Sequence, residues 1–168
     1  LSNDVKEDSQ TVVLFFCLII MASIQQHLAK VKVTLSETKI TNDLFAYIRS
    51  IEKSLVRLNQ NQIEFESKDI FDKPIGFYSQ ATENITNGKK KAGQPFTGRD
   101  SGNWLSGFRL VQKGDAFQFT SIDSKNRTIL TSKHWLSNDV FGLSDEDLKA
   151  AIKFYFLPYF LKYFKDAL

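Results

Sequence analysis

The chain of 168 residues has one cysteine, Cys17, which excludes an intrachain disulfide framework. That thiol lies in the most apolar stretch with no base beside it, where a cysteine behaves as a small hydrophobe rather than a nucleophile. A reducing, cytoplasmic setting is therefore expected. Histidine is nearly absent too: there are only His27 and His134, and His27 has no second ligand at metal spacing. Neither the phosphate-binding nor the dinucleotide-binding glycine pattern occurs, because the glycines from Gly98 to Gly107 fall at the wrong offsets. No metal and no cofactor are expected.

Long apolar runs are also missing, with one exception. Thr11–Ile24, TVVLFFCLIIMASI, is fourteen residues without a charge. As a helix rising roughly 1.5 Å per residue it falls short of the ~20 residues that span a bilayer. The segment before it carries Asp4, Glu7 and Asp8 against Lys6, the wrong sign for a secretory leader. The expectation is a buried core helix over about 9–29, and a membrane contact is the lesser alternative. In that alternative, Lys30 and Lys32 would place the following domain on the cytoplasmic side. The sequons at Asn84 and Asn126 are no more than a chain rich in Ser and Thr produces by chance.

What the chain has in quantity is aromatic rings: fifteen Phe and five Tyr, within an ordinary 42% apolar and 24% charged composition. Rings bury large areas and point to a core or an interface built from them. A length of 168 residues suits a single domain.

The pattern along the chain predicts an α+β fold. Lys30–Leu35 alternates and reads as a turn or short strand. Thr34-x-x-Glu37 fits a capping box opening a second helix over 36–59, whose Leu44, Ile48, Ile51, Leu55 and Leu58 form an a/d seam that could pack internally or pair with a second copy. Asn59-Gln60-Asn61 reads as its end, and Gln62–Ile70 as a first strand. Phe108–Gln112, Ala116–Ile122 and Arg127–Ser132 complete an antiparallel sheet of about four strands. Ser144-x-x-Asp147 caps a C-terminal helix over 144–168 that Pro158 kinks, and its FYFLPYFLKYF stretch is aromatic nearly all round. The organisation is thus a helical part over 1–60, a β-rich part over 61–135 and the last helix, with helices on one face of the sheet.

Two short patterns resemble known chemistry. Glu64-Phe65-Glu66-Ser67-Lys68 resembles the E-x-K tail of restriction-endonuclease-type nucleases, in which carboxylates hold a divalent metal and a lysine stabilises the attacked phosphate. That family takes another acid from an earlier core strand, whereas Asp43 and Glu52 fall on a predicted helix. Arg127 and His134 are spaced similarly to the R-x4–6-H signature of HEPN ribonucleases, an all-helical family, while the residues between them read as a strand.

The stronger signal is charge. Between 89 and 133 lie nine cations against Asp100, Asp115 and Asp123, in a chain of net charge +3. The span 86–107 is rich in glycine, and loops of that length are usually functional. Lys89, Lys90, Lys91, Arg99, Arg109 and Lys113 are the candidate phosphate contacts, with Trp104 and Phe96 as candidate stacking rings. The expectation is a non-catalytic binding module for an acidic partner, foremost nucleic acid. The alternatives are a protein-interaction or assembly subunit using helix 36–59 or the aromatic C-terminal helix and, more distantly, a metal-dependent nuclease or a membrane-tethered cytoplasmic domain.

Overall fold

A computed structural model describes residue 21 and residues 24–33, 36–99, 101–132 and 136–167. They divide into two compact units: one reaches Ala46 and resumes at Phe160, and the other is Tyr47–Tyr159.

In the first unit, residues 24–33 are helical (α1), so Lys30–Val33 is neither turn nor strand. Of the apolar run Thr11–Ile24 only Met21 and Ile24 are described, and they are 61% and 53% exposed rather than buried. The rest of the run, with Cys17, lies outside the described residues, as does Thr34 of the expected capping box. No helix among the described residues is long and apolar enough to cross a membrane. α2 (Glu37–Ser50) opens with Glu37 and closes with Arg49, each placed to suit the helix dipole. The Asp43 carboxylate accepts from Lys39 Nζ (2.6 Å) and from the Tyr163 hydroxyl (2.9 Å). Those two hydrogen bonds, that of Lys39 being the stronger influence, hold Asp43 below the usual carboxylate pKa.

At Ile51 the backbone leaves the helical region (φ −103°, ψ 11°), so the expected single helix becomes α2 and then α3 (Glu52–Asn61). The Asn-rich stretch does not end α3. Asn59 is fully buried and donates to the carbonyls of Val140 (2.8 Å) and Gly142 (2.7 Å), while Gln60 donates to the Leu105 carbonyl (2.7 Å). Because these side chains bond to distant backbone, they do not compete with the helix's own hydrogen bonds. The chain therefore stays helical through a π-turn at Gln62–Glu66 and stops only at Ser67, in the left-handed region (φ 56°). The expected strand over 62–70 is replaced by this turn. The alternation expected of a strand does not hold, because the turn puts Ile63 inside and Phe65 outside although the two are two residues apart.

The sheet has two strands, β1 (Phe108–Lys113) and β2 (Ala116–Ser121), instead of about four. They pair antiparallel from Phe108↔Ser121 to Lys113↔Ala116 across Gly114-Asp115, with Gly114 at φ 62° supplying the turn. Arg127–Ser132, expected as a strand, belongs to the helix α6 (Asn126–Ser132). Its Ile129 and Leu130 pack on the core, and that burial overrides the β-branched propensity of the segment. The core gathers Ile63, Ile75, Phe96, Trp104, Phe108 and Val140. Trp104 meets Phe108 edge-on at 5.1 Å, a favourable quadrupole geometry.

Ser144 caps α7 (Asp145–Ala151) as its sequence predicts, accepting from Asp147 N–H (3.3 Å). A π-turn at Ile152–Phe156 then leads into α8 (Leu157–Ala167). Pro158 lies just after that turn: without an N–H, and with a ring that crowds the carbonyl four residues back, it favours the wider turn and the bend. Tyr47 stacks on Tyr159 (4.0 Å, 11°) and donates to the Tyr155 carbonyl (2.9 Å).

Candidate anion-binding site

The basic span is built from the end of a short helix. Ser79 caps α4 (Gln80–Ile85) by accepting from Thr82 N–H at 3.2 Å. Beyond it, Asn87 (φ 49°) and Gly88 (φ 75°) reverse the chain, and Gly88 N–H returns to the Glu83 carbonyl at 2.9 Å. The Thr86 hydroxyl accepts from Lys90 N–H (3.2 Å), and the Glu83 carboxylate accepts from Ala92 N–H (2.8 Å). Residues 76–78 then run antiparallel to 94–96, joined by Tyr78 N–H to Gln94 O and Phe96 N–H to Gly76 O, both 2.9 Å. This loop therefore has a defined hydrogen-bonded shape that sequence periodicity does not reveal.

Two adjoining hollows open on this loop, of about 350 Å³ and about 390 Å³. They share Tyr78, Thr86, Lys90 and Arg99 and so form one trough. The first is apolar, lined by Ile85, Phe96, Trp104 and Ile129 together with Tyr78. The second is the more polar of the two and takes in Lys89, Gln94 and Thr97 beside Pro95. Lys125 reaches the apolar hollow from the turn before α6. Among the described residues no carboxylate lines either one.

The structure brings together Lys89, Lys90 and Arg99 of the expected site. Lys90 Nζ lies 5.5 Å above the Tyr78 ring, a cation–π contact. Arg99 pairs with Glu64 at 3.0 Å. Lys91 is exposed but lines neither hollow. Arg109 donates to the carbonyls of Ser106 (2.9 Å) and Phe108 (2.6 Å), and Lys113 sits at the hairpin tip; neither belongs to the trough.

The expected stacking rings need correction. Trp104 and Phe96 are 5% and 8% exposed, and Trp104 Nε1–H donates to Asn126 Oδ1 at 2.8 Å. They are core rings that show only a margin to the trough, because the four-residue helix α5 (Asn103–Ser106) turns Trp104 inward. Ile85, Ile129, Tyr78 and Lys125 are trough residues that sequence reasoning passed over. Lys125 stood among the nine cations, but nothing local marks the other three.

Of the E-x-K pattern, Glu64 and Glu66 lie on the π-turn and Lys68 just beyond it, in an isolated bridge with Pro74, so the three do not share a strand. Glu64 is committed to Arg99, while Lys68 pairs with Glu66 (3.4 Å) and Asp72 (3.7 Å). Its hydrogen bond to Glu66 raises the Lys68 pKa. Nearby, burial foremost, and then the charges of Glu66, Glu146 and Asp72, raise the Asp147 carboxyl, with Lys68 opposing them. Among the described residues no group of three or more His, Cys, Asp or Glu side chains is placed to hold a metal ion. Arg127 lies on α6, and His134 lies outside the described residues.

Comparison of the chain with protein-family models, with curated proteins and with solved structures finds no match.

Proposed function

We propose that this chain is a binding module for an acidic partner, foremost single-stranded nucleic acid in a cytoplasmic setting, and that the trough beside the 86–99 loop is its contact surface. The observation that carries this reading is the convergence of four cations, Lys89, Lys90, Arg99 and Lys125, on one trough, with Arg99 partnered by the Glu64 carboxylate. Such a surface attracts phosphates and binds them by releasing condensed counterions. Arg109 and Lys113 extend positive charge elsewhere on the same unit and serve approach rather than contact.

The test is the binding of a fluorescent oligonucleotide across a salt series. Affinity should fall with salt, and a Lys89→Ala/Lys90→Ala variant should flatten the log–log slope by about 1.4, at ~0.7 per single-strand contact. A salt-independent signal, or a slope unchanged in the variant, would overturn the reading.

A second reading, assembly through the C-terminal segment, is supported by the exposure of Ile152, Phe154 and Leu157. Large apolar side chains grouped on a surface mark interaction sites. Light scattering over a concentration series tests it, and a monomer throughout would remove self-assembly.

A further inference from the structure

The polar hollow alone would satisfy any polyanion, whether a sulfated polysaccharide, an acidic peptide or a nucleic acid. The apolar hollow asks more of the ligand. It is contiguous with the polar one through Tyr78, Thr86, Lys90 and Arg99, and at about 350 Å³ it has the size of a small-molecule site. Its walls are apolar side chains: the margins of Tyr78, Phe96 and Trp104, with Ile85 and Ile129. The Thr86 hydroxyl there is already committed, donating to the Thr82 carbonyl (2.8 Å) and accepting from Lys90 N–H. Ile85 stands at the lip, 82% exposed, an apolar side chain that the fold leaves in water.

We infer that the trough takes one nucleotide of a single strand, with its base in the apolar hollow and its flanking phosphates on Lys89, Lys90 and Arg99. This rests on the nucleic-acid reading and deepens it by naming the group that distinguishes nucleic acid from other polyanions. A flat ring attached to a phosphate a few ångströms away matches an apolar hollow that shares two cations with a polar one. An unringed polyanion would leave the hollow and Ile85 wet. Because the hollow offers ring margins and aliphatic carbon, it favours bases over their absence and discriminates little among them.

The experiment compares oligothymidylate of about eight nucleotides with an abasic sugar-phosphate oligomer of the same length and charge, at one low salt concentration. The parent chain should hold the base-bearing strand about tenfold tighter, the scale of one base contact. Ile85→Ser, an exposed change that leaves the core untouched, should remove most of that ratio without altering the abasic affinity. Lys90→Ala should weaken both strands alike. Equal binding of the two strands by the parent, or a ratio unchanged in Ile85→Ser, would overturn the inference and leave the polyanion reading standing. Failure of both strands to bind would overturn both readings.

Discussion

Glu64 and Arg99 form an ion pair of 3.0 Å that fastens the far end of the basic loop to the π-turn after α3. The two partners are unequally placed: the Glu64 side chain is 9% exposed and that of Arg99 66%. Arg99 thus lines the trough with a largely exposed side chain while one of its guanidinium nitrogens is held. Replacing Glu64 with Gln removes the competing carboxylate. The low-salt affinity for an oligonucleotide should rise, and stability should fall by about 0.5–1 kcal/mol, as for a pair with one exposed partner. Denaturant unfolding and anisotropy titration of the same variant check both halves.

Gly98 precedes that arginine at φ 66°, and a Cβ there would come within 2.9 Å of the Trp104 ring. Both the left-handed backbone and the close approach call for glycine. Gly98→Ala should cost about 1–3 kcal/mol and disturb the apolar hollow, which appears as a changed tryptophan emission in the folded state.

Asn59 joins α3 to the segment before α7 through two hydrogen bonds. Asn59→Ala leaves the Val140 and Gly142 carbonyls without those donors in a buried site, which should cost about 2–4 kcal/mol. Thermal or denaturant unfolding measures the loss.

The same polar side chains explain what could be read from the sequence. The Ser144 cap and the 108–121 hairpin follow from neighbours in sequence, a hydroxyl three residues before an acid and a Gly-Asp turn between alternating strands, so they are legible locally. The helical course of 59–66 depends on carbonyls about eighty residues away, and the helix at 126–132 on a core that its Ile129 and Leu130 help to complete. Neither signal is present in the segments themselves. The candidate site divides the same way: the cations at 89, 90 and 99 stand out as a basic run, whereas the apolar hollow exists only once α4, the loop and α6 are assembled.

Asp147 carries a pH dependence. Its folded carboxyl is raised above the ordinary 3.8, so the folded chain holds that proton more tightly than the unfolded chain does. The ionised group therefore opposes folding, an effect absent below 3.8 that grows as pH rises to the raised folded value and is constant above it. Asp147→Asn should gain stability relative to the parent across that window. Lys68→Met, which deletes the one cation opposing the shift, should raise the Asp147 carboxyl further. Unfolding curves over a pH series test the first, and NMR titration of the carboxyl carbon tests the second.

The most direct test of the binding surface is an amide NMR titration of the isotope-labelled chain with oligothymidylate at low salt. The account predicts that the amides of Ile85, Lys90, Arg99 and Ile129 shift together and saturate at one strand per chain. Shifts centred on Arg109 and Lys113 at the hairpin, or none at all, would contradict it.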